Sequence, residues 1–286
     1  MEKIVVEHIL RFLKDDVIFE DITSEALIPR RCKARAVVIA EEDGVIAGNK
    51  FIPTVLRELG LEVLRYTEDG ELVKKGSTIL EIYGEAKTIL IVERTLLNFL
   101  MVLSGIATYT RKLVEAVKKI NNKVVIAATR KTHPGLGYFE KYAVAVGGGY
   151  THRYGLFDMV LIKDNHLAIV KDIRRAVEEA RKKYGMFKKI EVEVRSAEEA
   201  LEAAKVGADI VMLDNMSVNE VSKTLELLHK HKLRSRVLVE VSGGIDESNI
   251  LEYAKLDIDI ISLSKITLGS PPLGMKLEIV EVEECG

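Results

Sequence analysis

The sequence predicts an α/β protein, with an incomplete α/β barrel of about six strands behind an N-terminal α+β domain. In the second half of its 286 residues, short β-rich runs alternate with amphipathic helical segments, which is typical of βα units in a parallel sheet. A complete barrel of eight such units needs about 250 residues, more than this part of the chain supplies. An open barrel therefore fits best, and a flat doubly wound sheet is the alternative.

Six runs in this half have the length and composition of strands. They are Val124–Ala128, Met159–Ile162, Ile190–Val194, Ile210–Leu213, Val237–Val241 and Ile258–Leu263. Helical periodicity between the later runs predicts helices at Ile169–Lys183, Ala197–Val206 and Val218–His231. Residues 109–274 are therefore the predicted barrel domain.

Residues 1–108 mix helical and strand patterns and form the predicted N-terminal domain. An amphipathic helix is expected at Ile4–Leu13, and strand-like runs follow at 34–40, 62–66 and 76–82. Helical periodicity from Thr88 to about Val117 predicts a long helix that joins the two domains. The alternation of Leu277–Val282 predicts an edge strand, so residues 275–286 are expected to rejoin the first domain.

The composition is that of an ordinary folded protein, with 48% apolar and 30% charged residues. No stretch approaches about 18 uninterrupted apolar residues and the start lacks a secretory pattern, so neither a membrane span nor export is expected. Cys32 and Cys285 form neither a metal spacing nor a disulfide framework, and Cys285 is expected to be inert. These features predict a cytoplasmic protein without a membrane partner.

Cations gather in one segment of the chain, although its formal net charge is −2. Between residues 130 and 163 only Glu140 and Asp158 oppose them. A nucleic-acid partner would require a broad basic face, so the pattern instead predicts a pocket for a small, multiply anionic ligand. His133 and His166 lack metal-ligand spacing and are interpreted as structural or as supports for residues that bind the ligand. The cations are Arg130, Lys131, Lys141, His152, Arg153 and Lys163.

Charged residues also stand at the carboxyl ends of the predicted strands, where barrel enzymes place their chemistry. Glu191 and Glu193 share one strand face, which is either solvated or, inside a barrel, in need of partners such as Lys163 or a metal. The position of Glu193 nearer the mouth favours a functional role, whereas Glu191 is left open. Asp214 and Asn215 either belong to the site or cap the next helix.

Two glycine-rich stretches are candidate anion sites. Ser242-Gly243-Gly244 is expected to open a helix at Asp246 or Ser248, whose N-terminus would help to bind a phosphate. Gly147–Gly149 is either a helix stop or, with the cations just beyond it, part of a second anion site.

Over almost its full length the chain resembles the quinolinate phosphoribosyltransferase family. The matching motifs of the first part are Phe19–Ser24, Glu42–Gly48, Glu93–Asn98 and Ser104–Thr108. Those of the second part are Thr129–Thr132, Glu140–Val144, Gly147–Arg153, Ile162–His166, Glu191–Glu193, Leu213–Asn215 and Ser242–Gly244. The resemblance implies phosphoribosyl transfer from phosphoribosyl pyrophosphate to quinolinate with decarboxylation. The products would be nicotinate mononucleotide, pyrophosphate and CO2, in de novo NAD biosynthesis, with Mg²⁺ as cofactor.

The resemblance also implies roles for individual residues. Lys131, Lys163, Glu193 and Asp214 would be catalytic, and the two acids would also hold ribose hydroxyls and the metal, Mg²⁺. Arg94 would enter the site of a partner subunit, so that a homodimer, or a higher oligomer built from dimers, is the functional unit. The implied substrate-binding set is Arg94, Arg130, Lys131, His152, Arg153, Lys163, Glu193, Asp214, Ser242, Gly243, Gly244 and Ser264.

The chain departs from the family pattern in places. Gly137 stands where the family often has arginine, and Ser264–Gly269 replaces a usual Gly-x-Leu-Thr-His-Ser, with Lys265 as a compensating cation. The alternatives are a nicotinate-specific phosphoribosyltransferase on the same fold, the molybdenum-associated paralogue of the family and a non-catalytic anion-binding paralogue. The number of cations argues for a dicarboxylate substrate, Ile162–His166 fits the quinolinate enzyme better than the molybdenum-associated paralogue, and the intact acidic pair argues against a non-catalytic protein.

Overall fold

Two larger sheets organise the chain in the computed structural model, which describes residues 2–29, 31–283 and 285. An antiparallel sheet of four strands belongs to a unit made of the residues up to Tyr109 and from Ser270 onward. A parallel sheet of six strands belongs to the unit Thr110–Gly269. The predicted domain boundaries lay after residues 108 and 274.

The segment just beyond Gly269 belongs with the first unit because its backbone is bonded there. The Leu273 N–H donates to the carbonyl of Met101 at 2.9 Å, and the Gly274 carbonyl accepts from the Glu41 N–H at 2.8 Å. Because of these bonds, the chain returns to the first unit after Gly269, a few residues before the boundary predicted after residue 274.

Over its described residues, the first unit contains four helices and five strands up to α4, within which the chain enters the second unit. They are α1 (Glu2–Asp16), α2 (Ile22–Leu27), β1 (Lys33–Ala40), β2 (Gly44–Val45), α3 (Ile52–Glu58), β3 (Glu62–Tyr66), β4 (Leu72–Val73), β5 (Thr78–Glu85) and α4 (Ala86–Lys118). A single 3₁₀ turn, Asn49–Phe51, precedes α3.

The second unit alternates strands and helices as expected. Its elements are β6 (Val125–Ala127), α5 (Gly137–Val146), β7 (Val160–Ile162), α6 (Asp164–Val170), α7 (Ile173–Tyr184), β8 (Ile190–Val194), α8 (Ala197–Lys205), β9 (Ile210–Asp214), α9 (Val218–Lys230), β10 (Leu238–Ser242), α10 (Ile250–Ala254), β11 (Ile260–Ser262) and α11 (Lys265–Leu268). Strand β12 (Met275–Val282) then returns to the first unit. Each predicted strand of this unit is present, with ends that shift by at most two residues.

The sheet of the first unit has the order β12-β1-β5-β3. Every second residue of β1 is buried, from Ala34 to Ala40, because one face of the strand packs on the core. Strand β12 pairs antiparallel with β1 and lies at the edge of the sheet, which confirms the edge strand predicted at Leu277–Val282.

The parallel sheet has the strand order of an incomplete barrel. The strand order is β6-β11-β10-β9-β8-β7. The first strand, β6, pairs with the last, β11, and from β7 to β11 each strand pairs with the next one in sequence. Among the described residues, β6 and β7 are the consecutive strands left unpaired, and there the barrel stays open. A flat doubly wound sheet would have its first strand in the interior, so the barrel prediction is confirmed.

One predicted helix is wrong. The segment Ile169–Lys183 forms parts of two helices, because Lys171 ends α6 in the left-handed region with a φ of 62°. The side chain of Asp172 then caps α7 by accepting from the Arg175 N–H at 2.7 Å. Hydrophobic periodicity continues through this break, which is why it did not reveal the boundary.

Helix α4 is the long helix expected between the domains. By length and composition it could cross a membrane, and 56% of its most apolar window is buried inside the protein. A single helix of this kind is weak evidence of a span, since a core helix meets the same criterion. Ile89, Leu100 and Leu103 have no exposed surface here.

Cys32 and Cys285 form a disulfide, so the expectation of two unpaired cysteines, with Cys285 inert, is wrong. They lie 253 residues apart in sequence, yet their Cα atoms are 4.4 Å apart. The pairing of β1 with β12 brings them together, because the Glu283 N–H donates to the Lys33 carbonyl at 2.9 Å beside both cysteines. Since cytosolic disulfides are rare outside hyperthermophiles, the cytoplasmic location stays a prediction.

Loss of this disulfide should lower the stability of the fold. We expect Cys32→Ser to reduce the free energy of unfolding by about 2–4 kcal/mol, because the bridge restricts a long loop of the unfolded chain. The measurement is unfolding with and without a thiol reductant, with Cys285→Ser as the matched variant. Both variants should unfold at the same lowered midpoint, and the reductant should not change that midpoint. A wild-type midpoint that the reductant does not move would contradict this role.

Candidate active site

A cavity of about 700 Å³ opens at the carboxyl ends of the barrel strands. Its lining comes from the loops and last residues that follow each of these strands, as expected for parallel strands that share one mouth. Lys141, a member of the predicted cation cluster, does not line it. Apart from Arg94, every residue of the implied substrate-binding set does: Arg130, Lys131, His152, Arg153, Lys163, Glu193, Asp214, Ser242, Gly243, Gly244 and Ser264.

Lys163 and Glu193 form an ion pair at the ends of β7 and β8. The ammonium donates to the carboxylate at 3.1 Å, and the glutamate side chain is only 10% exposed. This confirms the expectation that a carboxylate pointing into the barrel needs a partner such as Lys163. His166 is structural here, since its Nδ1 accepts from the Lys163 N–H at 3.0 Å.

His152 lies above two buried carboxylates in the barrel interior. Its Nε2 is 3.2 Å from an oxygen of Glu191 and 3.2 Å from an oxygen of Glu240. Only the contact with Glu240 has hydrogen-bond geometry, and both oxygens of Glu191 are buried without a hydrogen bond. Burial disfavours the imidazolium, but the two carboxylates outweigh it and raise the pKa of His152 to about 9.

The two carboxylates also act on each other. Burial, and then the neighbouring charge of Glu240, raise the pKa of Glu191. Glu240 is also bonded by the hydroxyl of Ser262. The described part of the chain contains one group of three side chains of metal-ligating type with donor atoms within 4.8 Å of one another, namely His152, Glu191 and Glu240. The imidazolium already balances part of their negative charge.

Arg153 and Arg130 make the cavity attractive for anions. Arg153 is 6% exposed, and burial followed by repulsion from Arg130 lowers the pKa of its guanidinium. An anion bound near both arginines would relieve that repulsion. The segment that carries His152 and Arg153 follows Gly147–Gly149 in the chain. These glycines do stop a helix, because Gly147 is the C-cap of α5 and Gly148 has a φ of 90°.

Asp214 is not a helix cap. Helix α9 is capped by Ser217, which forms a reciprocal capping box with Glu220. The Asp214 carboxylate instead faces the cavity and accepts from the amide of Asn215 at 2.9 Å. The cap alternative is therefore excluded.

The prediction that Ser242-Gly243-Gly244 opens a helix at Asp246 or Ser248 is wrong. The next helix begins at Ile250 rather than at Asp246 or Ser248, because the Asp246 carboxylate accepts from the backbone of Ser248 and holds a turn there. The glycines therefore do not stand at a helix terminus, and an anion bound there would meet the backbone of the loop itself. Gly243 and Gly244 have φ values of 88° and 64°, in the region that favours glycine.

Two positions that depart from the family pattern, Gly137 and Lys265, have defined surroundings in the structure. Gly137 is the first residue of α5, and a Cβ there would lie 3.0 Å from the hydroxyl of Thr132. Lys265 lines the cavity but pairs with Glu247 at 3.2 Å and Asp246 at 3.6 Å. The compensation expected of Lys265 would therefore have to displace these acids.

Arg94 is the residue of the implied substrate-binding set that does not line this cavity. It lies on α4 in the first unit, its side chain is 61% exposed, and its guanidinium is 4.0 Å from Glu93. Sequence reasoning conversely missed Glu240 and Ser262 in the cavity lining. The same alternation that singled out Glu193 runs through β10 and would have revealed Glu240.

Models of both domains of one family match the chain. The N-terminal domain of quinolinate phosphoribosyl transferase matches residues 21–104, and its C-terminal domain matches residues 106–278. The chain belongs to the quinolinate phosphoribosyl transferase family.

Relatives and a solved structure agree with this family over nearly the whole chain. A probable nicotinate-nucleotide pyrophosphorylase (carboxylating) of Methanothermobacter thermautotrophicus is 46% identical, covering 96% of this chain and 99% of the relative. The human nicotinate-nucleotide pyrophosphorylase (carboxylating) is 36% identical, with 90% and 86% covered. The structure of the nicotinate-nucleotide pyrophosphorylase from Francisella tularensis has a TM-score of 0.87 at 35% identity, with 98% and 97% covered.

Substitution of Gly243 should be more costly than a positive φ alone explains. A Cβ at Gly243 would lie 2.5 Å from the Asn215 amide oxygen, whereas Gly207, with a φ of 91°, has nothing within 4 Å. We expect Gly207→Ala to lower the free energy of unfolding by about 1 kcal/mol and Gly243→Ala by about 2 kcal/mol or more. Chemical denaturation of both variants measures the difference. Equal losses would mean that Asn215 moves aside freely.

Proposed function

We propose that the chain transfers the phosphoribosyl group of phosphoribosyl pyrophosphate to quinolinate with loss of CO2. It would give nicotinate mononucleotide and pyrophosphate for NAD biosynthesis. The observation that carries the proposal is one cavity, in a chain of this family, that combines cations for a dicarboxylate with acids for a ribose. Cations and acids come from separate strand ends and surround the same space.

The cations match the charges of quinolinate. Two adjacent carboxylates on a planar ring suit bidentate recognition by the guanidinium groups of Arg130 and Arg153. His152 adds a positive charge. The Nε2 atom of its imidazole ring is already bonded to Glu240, so a ligand would meet the Nδ1 side of the ring. Binding the dianion would offset the repulsion between the two arginines.

The reaction needs positioning and charge stabilisation more than covalent help from the protein. The ring nitrogen of quinolinate attacks the anomeric carbon while the bond to pyrophosphate breaks. Glu193 and Asp214 would hold the ribose hydroxyls, and Ser242 with the glycines after it would hold the 5′-phosphate. Their placement would bring nitrogen and anomeric carbon into line.

Decarboxylation then leaves an electron pair on the ring carbon beside the cationic nitrogen. Lys163, held by Glu193 at 3.1 Å, and Lys131 line the cavity and would stabilise this charge electrostatically. The ring carbon finally takes a proton in place of the lost carboxylate. The two lysines thus have a catalytic role without forming a covalent intermediate.

Mg²⁺ is proposed as the cofactor. Its preference for hard oxygen ligands fits the carboxylates of Glu193 and Asp214, which stand at the ends of the neighbouring strands β8 and β9 and line the same cavity. When bound, the ion would neutralise charge on the pyrophosphate leaving group. We prefer this pair to the trio around His152, where an imidazolium already acts as the cation.

We also infer that the functional unit is a homodimer, or a higher oligomer built from dimers, with Arg94 donated to the partner's cavity. The exposed guanidinium on α4 supports this assignment, together with the family motif Glu93–Asn98 that contains it. Such an arginine would add a further positive charge to the carboxylate site.

The central test is turnover with phosphoribosyl pyrophosphate and Mg²⁺, offering quinolinate and nicotinate separately. We expect quinolinate to be preferred, and Arg130→Ala and Arg153→Ala each to lower kcat/KM for quinolinate by about 100-fold or more in folded protein. Arg174→Ala, at an arginine side chain 59% exposed on α7, is the control and should change nothing. Release of pyrophosphate and CO2 measures both steps. Preference for nicotinate would favour the alternative, and full activity of either site variant would contradict the assignment.

Mixing inactive variants tests the shared site. Arg94→Ala and Lys163→Ala should each be inactive alone, whereas remixed subunits should recover about a quarter of wild-type activity. Half of the dimers would then be mixed, and each would have one of its two sites intact. Activity after remixing measures this directly, with each variant remixed with itself as the control. No recovery, with exchange verified, would contradict the donated arginine.

A further inference from the structure

We propose that Lys141 is a positioning residue that fixes the segment carrying His152 and Arg153 in its ligand-binding conformation. The inference rests on the proposed function, in which these two residues bind the carboxylates of quinolinate. In the sequence, Lys141 belongs to the cation cluster and to the family motif Glu140–Val144, and neither gives it a role of its own.

The side chain of Lys141 is buried within the second unit. It projects from α5, is 1% exposed, and ranks among the largest fully buried side chains of the described residues. Its ammonium donates to two backbone carbonyls, those of Thr151 and Arg153, the latter at 2.7 Å. A long charged side chain is thus directed inward at carbonyls, where a surface lysine would reach into water.

The two carbonyls flank a residue with an unfavourable backbone. His152 lies between them and has a φ of 52°, in the left-handed region that a residue with a Cβ rarely adopts. Such a conformation persists only where its surroundings hold it. The ammonium bonds the carbonyls on both sides and so holds this backbone, while Glu240 holds the imidazole ring at 3.2 Å.

The position of Arg153 depends on the same contact, because its carbonyl is one of the two acceptors. Burial, which dominates, and the charges of Arg153 and Arg130 lower the pKa of Lys141 to about 8. A neutral amine still has two N–H groups for the two carbonyls. Both protonation states of Lys141 can therefore make the contact, and the ammonium makes it more strongly.

The test is a comparison of Lys141→Met with the wild type. The substitution keeps a long apolar stem but removes all three N–H donors. We expect the KM for quinolinate to rise about tenfold or more and that for phosphoribosyl pyrophosphate by less than about threefold, because the glycine loop is untouched. Lys112→Met, at a side chain 70% exposed, is the control and should leave both values unchanged. An unchanged KM for quinolinate, or equal rises for both substrates, would overturn the proposal.

A stability cycle tests the same contact without any substrate. Glycine adopts a positive φ freely, so Lys141→Met should cost less stability in a His152→Gly background than in the wild type. Equal or greater cost in that background would overturn the proposal. Where Lys141→Met alone does not fold, recovery of folding in the double variant supports the contact, and no recovery overturns it. A wild-type protein that does not turn over quinolinate would refute the proposed function. The stability cycle would still decide whether Lys141 holds the backbone at His152, because it uses no substrate.

Discussion

The parallel pairing of β6 with β11 is the constraint on which the candidate site depends. It joins the first strand of the barrel to the last and so directs the carboxyl ends of all six strands to one mouth. Residues as distant in sequence as Arg130 and Ser264 line the same cavity for this reason. Without that pairing, the same residues would form a row along the edge of an open sheet.

Buried acids hold the cations of the site in defined places. Lys163 is held by Glu193, and His152 by Glu240 with Glu191 beside it. Unpaired buried charge is costly, so these acids are retained only with their partners. The arginines are different, because the exposed Arg130 repels the buried guanidinium of Arg153 and a bound anion would relieve that repulsion. Some cations of the cavity are thus already paired with acids, whereas the repulsion between the two arginines is left for a bound anion to offset.

Much of this site was predictable because strand periodicity and strand ends are local signals. Inward alternation identified Glu193, and the same rule applied to β10 would have identified Glu240. Lys141 was predicted as a cation of the pocket, yet it does not line the cavity. No local pattern in the sequence shows that its ammonium bonds the carbonyls of Thr151 and Arg153. The start of α10 was also missed, because Asp246 and Ser248 form a turn where both were expected to begin a helix.

Fold class, strand positions and the cationic pocket followed from the chain alone, because each depends on residues close to one another in sequence. The disulfide between Cys32 and Cys285, the acids beneath His152 and the carbonyl partners of Lys141 were decided only by tertiary structure. Each joins groups that strand pairing or loop placement brings together. Periodicity reports which face of an element is buried, but it does not report which distant group that face meets.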